Sequence, residues 1–137
     1  MTPVGLTGGI ASGKTTVCRL LEAKGCTIID ADLVAHKLLL RGQPGYEPVI
    51  EAFGRGILGD GGEIDRGKLG TLVFGDRSRL DQLNQLLHPE VLRTIGAELE
   101  ALRQVGRARV IVDASLMIES GYHRNFRHLV LVTCSLA

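Results

Sequence analysis

The sequence has little of what would take a chain out of the cytosol or onto a nucleic acid. It has no tryptophan and five aromatic residues in all, Tyr46, Phe53, Phe74, Tyr122 and Phe126, too few for a base-stacking surface. Sixteen basic residues stand against fifteen acidic ones, for a net charge of +1. No polycationic field exists, so no nucleic-acid partner is expected. No apolar run approaches the roughly 20 residues of a membrane span, and no basic-then-apolar leader opens the chain. Three cysteines, Cys18, Cys26 and Cys134, are an odd number without C-x-x-C spacing. That pattern argues for reduced thiols in a cytoplasmic protein and against a zinc site. A chain of 137 residues can bury a core large enough to fold without a disulfide or metal staple.

Glycine is what the sequence has in excess, at 18 of 137 residues, close to twice the average of about 7%. Several of these glycines punctuate a pattern of short elements. Residues 3–7 form a short apolar run bounded by glycines, which reads as a buried strand. After the loop Gly8–Gly13, Val17, Leu20 and Leu21 recur at helical spacing from Lys14 onward, and Gly25 stops the helix. Thr27-Ile28-Ile29 is a second strand ending at Asp30. Strand, helix and strand so closely joined predict a parallel crossover, hence an α/β fold. From Ala31 to Gly106 the pattern is helical. Leu33, Val34 and Leu38 line one helix, and Val49, Ile50 and Phe53 a second closed by Gly54. Asp65 is placed to cap a helix carrying Leu69, Leu72 and Val73, and Ser78 one carrying Leu80, Leu83, Leu86 and Leu87. Pro89 suits the first turn of a further helix with Val91, Leu92, Ile95, Leu99 and Leu102 on its inner face. Strands resume at Val110-Ile111-Val112, ending in Asp113, and at Leu129–Val132. The expected organisation is a single domain. Its parallel-sheet core comprises residues 1–32 and 107–137, and a helical insertion occupies 33–106. Its last strand lacks the helix that a parallel sheet normally places after it, so the fold reads as C-terminally incomplete.

Gly8-x-x-x-x-Gly13-Lys14-Thr15 matches the phosphate-binding loop. Backbone N–H groups of such a glycine turn converge into an anion nest, and the following helix adds its positive end. The lysine reaches the β- and γ-phosphates of ATP, and the threonine hydroxyl ligates Mg²⁺. Asp30 and Asp32 follow the second strand, at the edge where open α/β sheets place ligands. Asp32 is either a helix cap or a carboxylate that orients or deprotonates an acceptor hydroxyl. Asp113 ends the third strand, where a carboxylate supports Mg²⁺ in phosphate-loop proteins or caps a turn. Glu119 is a weaker candidate of the same type. His36 and His88 are candidate ligand contacts or ordinary surface and capping residues. Arg41, Arg66 and Arg93 are possible phosphate contacts among twelve arginines. The cysteines read as small buried hydrophobes.

With these residues assembled, the chain resembles the dephospho-coenzyme A kinases, small phosphate-loop kinases. The likeness is nearly letter for letter over Val4–Thr16. It continues through Ile29-Asp30-Ala31-Asp32, Ala35-His36, Phe53-Gly54, Ile64-Asp65-Arg66, Val73-Phe74, Leu83-Asn84, His88-Pro89, Asp113-x-x-Leu116 and Glu119–Tyr122. The resemblance implies a phosphate-loop NTPase core with a helical acceptor-binding insertion. It implies phosphorylation of the ribose 3′-hydroxyl of dephospho-coenzyme A, with ATP and Mg²⁺, as the last step of coenzyme A synthesis. Carried over by position, Asp32 and Lys14 would be catalytic, and Ala11, Ser12, Gly13, Lys14, Thr15 and Thr16 would hold ATP. His36, Arg66, His88 and Leu116 would meet the acceptor, and Thr15 and Asp113 the metal.

Two departures qualify the resemblance. Members of this family usually carry proline where this chain has Ser115, and losing that rigid residue frees φ in the loop after Asp113. Family chains also run to about two hundred residues, so a lid arginine, the adenine-contacting segment and a final strand and helix are expected to be missing here. A chain without them is expected to be a poor kinase. The alternatives are another phosphate-loop small-molecule kinase, or a nucleotide-binding chain with little or no transfer activity.

Overall fold

The computed structural model describes residues 2–9, 12–115 and 121–134. Four strands, β1 (Val4–Gly8), β2 (Thr27–Asp30), β3 (Val110–Asp113) and β4 (His128–Val132), form one sheet in the order β2-β3-β1-β4. Every pairing is parallel: Leu6 lies beside Asp113 and Val130, and Asp30 beside Asp113. The carboxyl ends of β1, β2 and β3 therefore point the same way, the edge at which a parallel α/β sheet binds its ligand. Leu6, Val110 and Val112 are almost completely buried.

Among the described residues the α-helices are α1 (Lys14–Ala23), α2 (Ala31–Leu38), α3 (Tyr46–Phe53), α4 (Arg66–Phe74) and α5 (Arg77–Gln104), with 3₁₀ turns at Arg55–Ile57 and Tyr122–Asn125. The chain divides into two compact units, one of Met1–Asp32 with Ile95–Ala137 and one of Leu33–Thr94. In the first, α1 packs on the sheet through Val17, Cys18 and Leu21 against Leu6, Ile28 and Ile111. Leu20, expected on that face, is 57% exposed. At 3.6 residues per turn, positions 17, 18 and 21 form one stripe and position 20 falls at its margin. Cys134 likewise departs from expectation, since it is exposed while Cys18 is buried.

In the second unit the buried apolar residues are Val34, Leu38, Leu39, Val49, Ile57, Leu69, Val73, Leu87 and Val91. Arg41 and Tyr46 tie down a second glycine-rich loop, residues 59–62, by donating to the carbonyls of Gly61 (2.8 Å) and Gly62 (2.6 Å). Asp65 caps α4 as the sequence predicts, its Oδ1 accepting from the N–H groups of Gly67 (2.9 Å) and Lys68 (3.2 Å).

The two helices expected around Pro89 are one. The N-terminal cap is Asp76, whose Oδ1 accepts from Ser78 N (3.0 Å) and Arg79 N (3.3 Å), so Ser78 is not the cap. Proline inside a helix removes one hydrogen bond and crowds the preceding turn, at a cost of about 3 kcal/mol. Here Leu87, Val91 and Ile95, four residues apart and all buried, carry one apolar stripe past it. Leu92, expected on that stripe, is exposed.

Replacing Asp65 by alanine removes a cap that satisfies two helical amides. It is expected to lower unfolding free energy by about 1 kcal/mol, read as a reduced urea midpoint at unchanged slope; an unaltered midpoint contradicts the capping role.

Candidate active site

The loop between β1 and α1 is shaped by two glycines. Gly13 holds φ +90°, the left-handed conformation, immediately before the helix begins. A residue with a Cβ is strained there, and the turn directs the first amides of α1 outward without intrahelical acceptors. Gly8 is needed for space, because a Cβ there would stand 2.7 Å from Ser12 Oγ and 2.8 Å from the Val132 carbonyl oxygen. No acidic side chain lies in the first turn of α1 to offset the positive helix end. Ser12 Oγ is buried and has no hydrogen-bond partner among the described residues. A buried hydroxyl left unpaired costs about 1–3 kcal/mol, and an anion in the loop would satisfy it. Gly8, Gly9, Ser12–Thr16 and Ser115 line a cavity of about 270 Å³ at this point.

Lys14 Nζ donates to Asp113 Oδ1 at 2.5 Å, joining the first residue of α1 to the last of β3, with 16% and 13% of the two side chains exposed. Burial lowers the Lys14 pKa, but the hydrogen bond to Asp113 and the charges of Asp113 and Asp32 outweigh it, and the net shift is upward. Lys14 therefore stays an ammonium ion at neutral pH. Cys18, one turn further along α1, is pushed up to about 11 by burial and by the nearby Asp113 charge, with Lys14 opposing.

Asp32 lies in the first turn of α2, which starts at Ala31. Its Oδ2 accepts from the backbone N–H of Ser115 (3.2 Å) and from the Ser115 hydroxyl (2.7 Å). Ser115 follows β3 and is itself held to β1, since the buried Thr7 hydroxyl donates to its carbonyl at 3.3 Å. Ser115 is thus the residue that both lines the loop cavity and grips the carboxylate. The sequence marked this position only as a departure from a family pattern. A contact between residues 83 apart in sequence has no local signal.

Thr15 lines the cavity, and Asp113, which does not, is bonded to Lys14, which does. A hydroxyl and a carboxylate are hard oxygen donors of the kind Mg²⁺ takes, so this pair could hold it. Among the described residues no cluster of three or more His, Cys, Asp or Glu suits a metal. A phosphate-bound Mg²⁺, which keeps several waters and draws on one or two protein groups, needs none.

In the second unit His36 and Arg66 come together, with Arg66 Nη1 2.7 Å from His36 Nδ1. A guanidinium only donates, so Nδ1 is the acceptor and the imidazole proton sits on Nε2. This pair borders two cavities. One, of about 260 Å³, also has Lys37, Leu40 and Glu63 in its wall. The other, of about 220 Å³, is an apolar groove of Leu69, Val73, Phe74, Leu83 and Leu87 with Asn84. The scattered fragments Ala35-His36, Ile64–Arg66, Val73-Phe74 and Leu83-Asn84 are therefore neighbours in space. His88 is half-buried on α5 and lines neither cavity. Ala11, Leu116 and Glu119 lie outside the described residues.

A glycine turn between a parallel strand and a helix, a lysine at the helix start and an aspartate ending a neighbouring strand define the phosphate-loop class of α/β proteins. The family model described as dephospho-CoA kinase matches residues 2–137, and the chain belongs to that family. It is 48% identical over 117 residues to the dephospho-CoA kinase of Carboxydothermus hydrogenoformans, covering 85% of this chain and 57% of that one. To the dephospho-CoA kinase of Geobacillus kaustophilus it is 45% identical over 118 residues, covering 86% and 59%. The crystal structure of TT1252 from Thermus thermophilus superposes with a TM-score of 0.81 at 33% identity, over 96% of this chain and 65% of that one. A dephospho-CoA kinase from Campylobacter jejuni gives 0.71 at 28% identity, over 94% and 64%. The chain thus spans somewhat under two thirds of the length of these relatives. No helix among the described residues is long and apolar enough to cross a membrane.

The contrast between the two thiols can be measured. At pH 8 only about 0.1% of a thiol with a pKa near 11 is thiolate, so iodoacetamide is expected to modify exposed Cys134 well before Cys18. Raising the pH toward 11 should speed Cys18 about tenfold per unit. Equal labelling of both at pH 8 contradicts the environment assigned to Cys18.

Proposed function

We propose that this chain binds ATP in the loop Gly8–Thr15 and serves phosphoryl transfer from it to the ribose 3′-hydroxyl of dephospho-coenzyme A. The observation that carries this reading is the link through Ser115, which borders the phosphate cavity and holds Asp32 at its edge. A carboxylate in that position can accept a hydrogen bond from an incoming hydroxyl and take its proton as the oxygen attacks phosphorus.

The amides of residues 12–16 and the Ser12 hydroxyl hold the phosphate oxygens. Lys14, kept protonated by its surroundings, shares its charge between Asp113 and the transferred group. When bound, Mg²⁺ supplies charge neutralisation at the phosphates, and Thr15 and Asp113 are the residues that would hold it. Asp32 orients the acceptor hydroxyl, its Oδ2 restrained by Ser115. The acceptor body is assigned to the helical unit. The Arg66–His36 pair and Lys37 suit its phosphates, and the groove beside Phe74, 77% exposed, suits its pantetheine arm. His88 then acts from the helix behind the groove, without a wall position of its own. The odd number of cysteines, without C-x-x-C spacing, supports a cytoplasmic setting.

Lys14→Ala is expected to weaken ATP binding and to lower transfer to dephospho-coenzyme A by about 100-fold or more. The far-ultraviolet circular dichroism should stay that of the parent. Unchanged turnover in that variant, or faster transfer to a nucleoside or gluconate than to dephospho-coenzyme A, contradicts the assignment.

A further inference from the structure

Four hydroxyl-bearing residues, Ser12, Thr15, Thr16 and Ser115, line the cavity of the phosphate loop. Among the described residues, Ser115 is the one of these four that meets a carboxylate. Its Oγ donates to Asp32 Oδ2 at 2.7 Å, while its own N–H donates to the same oxygen at 3.2 Å. Two bonds to one carboxylate oxygen, with the carbonyl secured by Thr7 at 3.3 Å, fix this side chain in the cavity wall. An alcohol hydrogen-bonded to a general base and facing a phosphate cradle has what phosphoryl acceptance requires. The acceptor in the proposed reaction must bring its hydroxyl to the same carboxylate. Ser115 already has one there.

We propose that Ser115 is a self-phosphorylation site of this chain. The inference rests on the ATP reading of the loop given above. Ser115 Oγ attacks the γ-phosphorus of bound ATP, and an Oγ–P bond forms as the bond from that phosphorus to the β,γ-bridging oxygen breaks. The electron pair of the broken bond leaves on ADP, and the Ser115 proton passes to Asp32 Oδ2. Tethering replaces a second binding event, because the nucleophile is held in its own chain's cavity. The product carries close to two negative charges where the next nucleotide would place its phosphates. Repulsion turns that nucleotide away and limits the modification to one phosphoryl group per chain.

The test incubates the full 137-residue chain with γ-labelled ATP and Mg²⁺ and without any acceptor. Label is followed by peptide mass spectrometry, and ATP affinity is measured on the same preparations by calorimetry. The expected result is label on Ser115, at no more than one per chain and at a rate per chain independent of chain concentration. Ser115→Ala should lose it, and Asp32→Asn should slow it about 100-fold while still binding ATP. Lys14→Ala, purified identically, should also lose the label, which excludes a co-purifying kinase. ATP binding without label on Ser115, label undiminished in Ser115→Ala, or a rate that rises with chain concentration overturns the self-phosphorylation proposal alone. Failure of the parent chain to bind ATP overturns the nucleotide reading, and this proposal with it.

Discussion

The contact on which the site depends is the ion pair between Lys14 and Asp113. It spans 99 positions of sequence in 2.5 Å and joins the start of the loop helix to the end of a central strand. Both partners are mostly shielded from water. Removing either would leave a charge uncompensated in a poorly solvated place, at a cost of about 3–5 kcal/mol for a buried pair. The pair also fixes the ammonium group of Lys14, a residue of the cavity wall, so in the proposed reading an arriving phosphate meets a charge already in position. Preorganisation of this kind stabilises charge that develops later without further rearrangement.

Parallel topology makes the pairing possible. Because β1, β2 and β3 run the same way, their carboxyl ends bring Gly8, Asp30 and Asp113 to one edge. Ser115 lies two residues beyond β3 and extends that edge to Asp32. A proline at this position would have neither the N–H nor the hydroxyl that Asp32 accepts.

Local chemistry made the frame legible in the sequence. A short apolar run bounded by glycines, a glycine loop before a lysine and an aspartate before Arg66 each specify a nearby backbone conformation, and the structure has all three. What escaped was set by tertiary contact. Leu20 and Leu92 obey the apolar pattern yet face solvent, because burial is decided by what packs opposite. Pro89 reads as a helix start, but the stripe Leu87, Val91 and Ile95 stabilises a helix that runs through it. The Ser115–Asp32 contact and the groove assembled from four separated fragments depend on distances that composition and spacing do not encode.

The central claim is that the amides opening α1 cradle the phosphates of a nucleotide, and a ¹⁵N-resolved titration with a nonhydrolysable ATP analogue and Mg²⁺ tests it most directly. The account predicts saturable shifts of the Gly13, Lys14, Thr15, Thr16 and Ser115 amides, with the groove residues around Phe74 unmoved. Shifts confined to other parts of the chain, or none at saturating analogue, would contradict it.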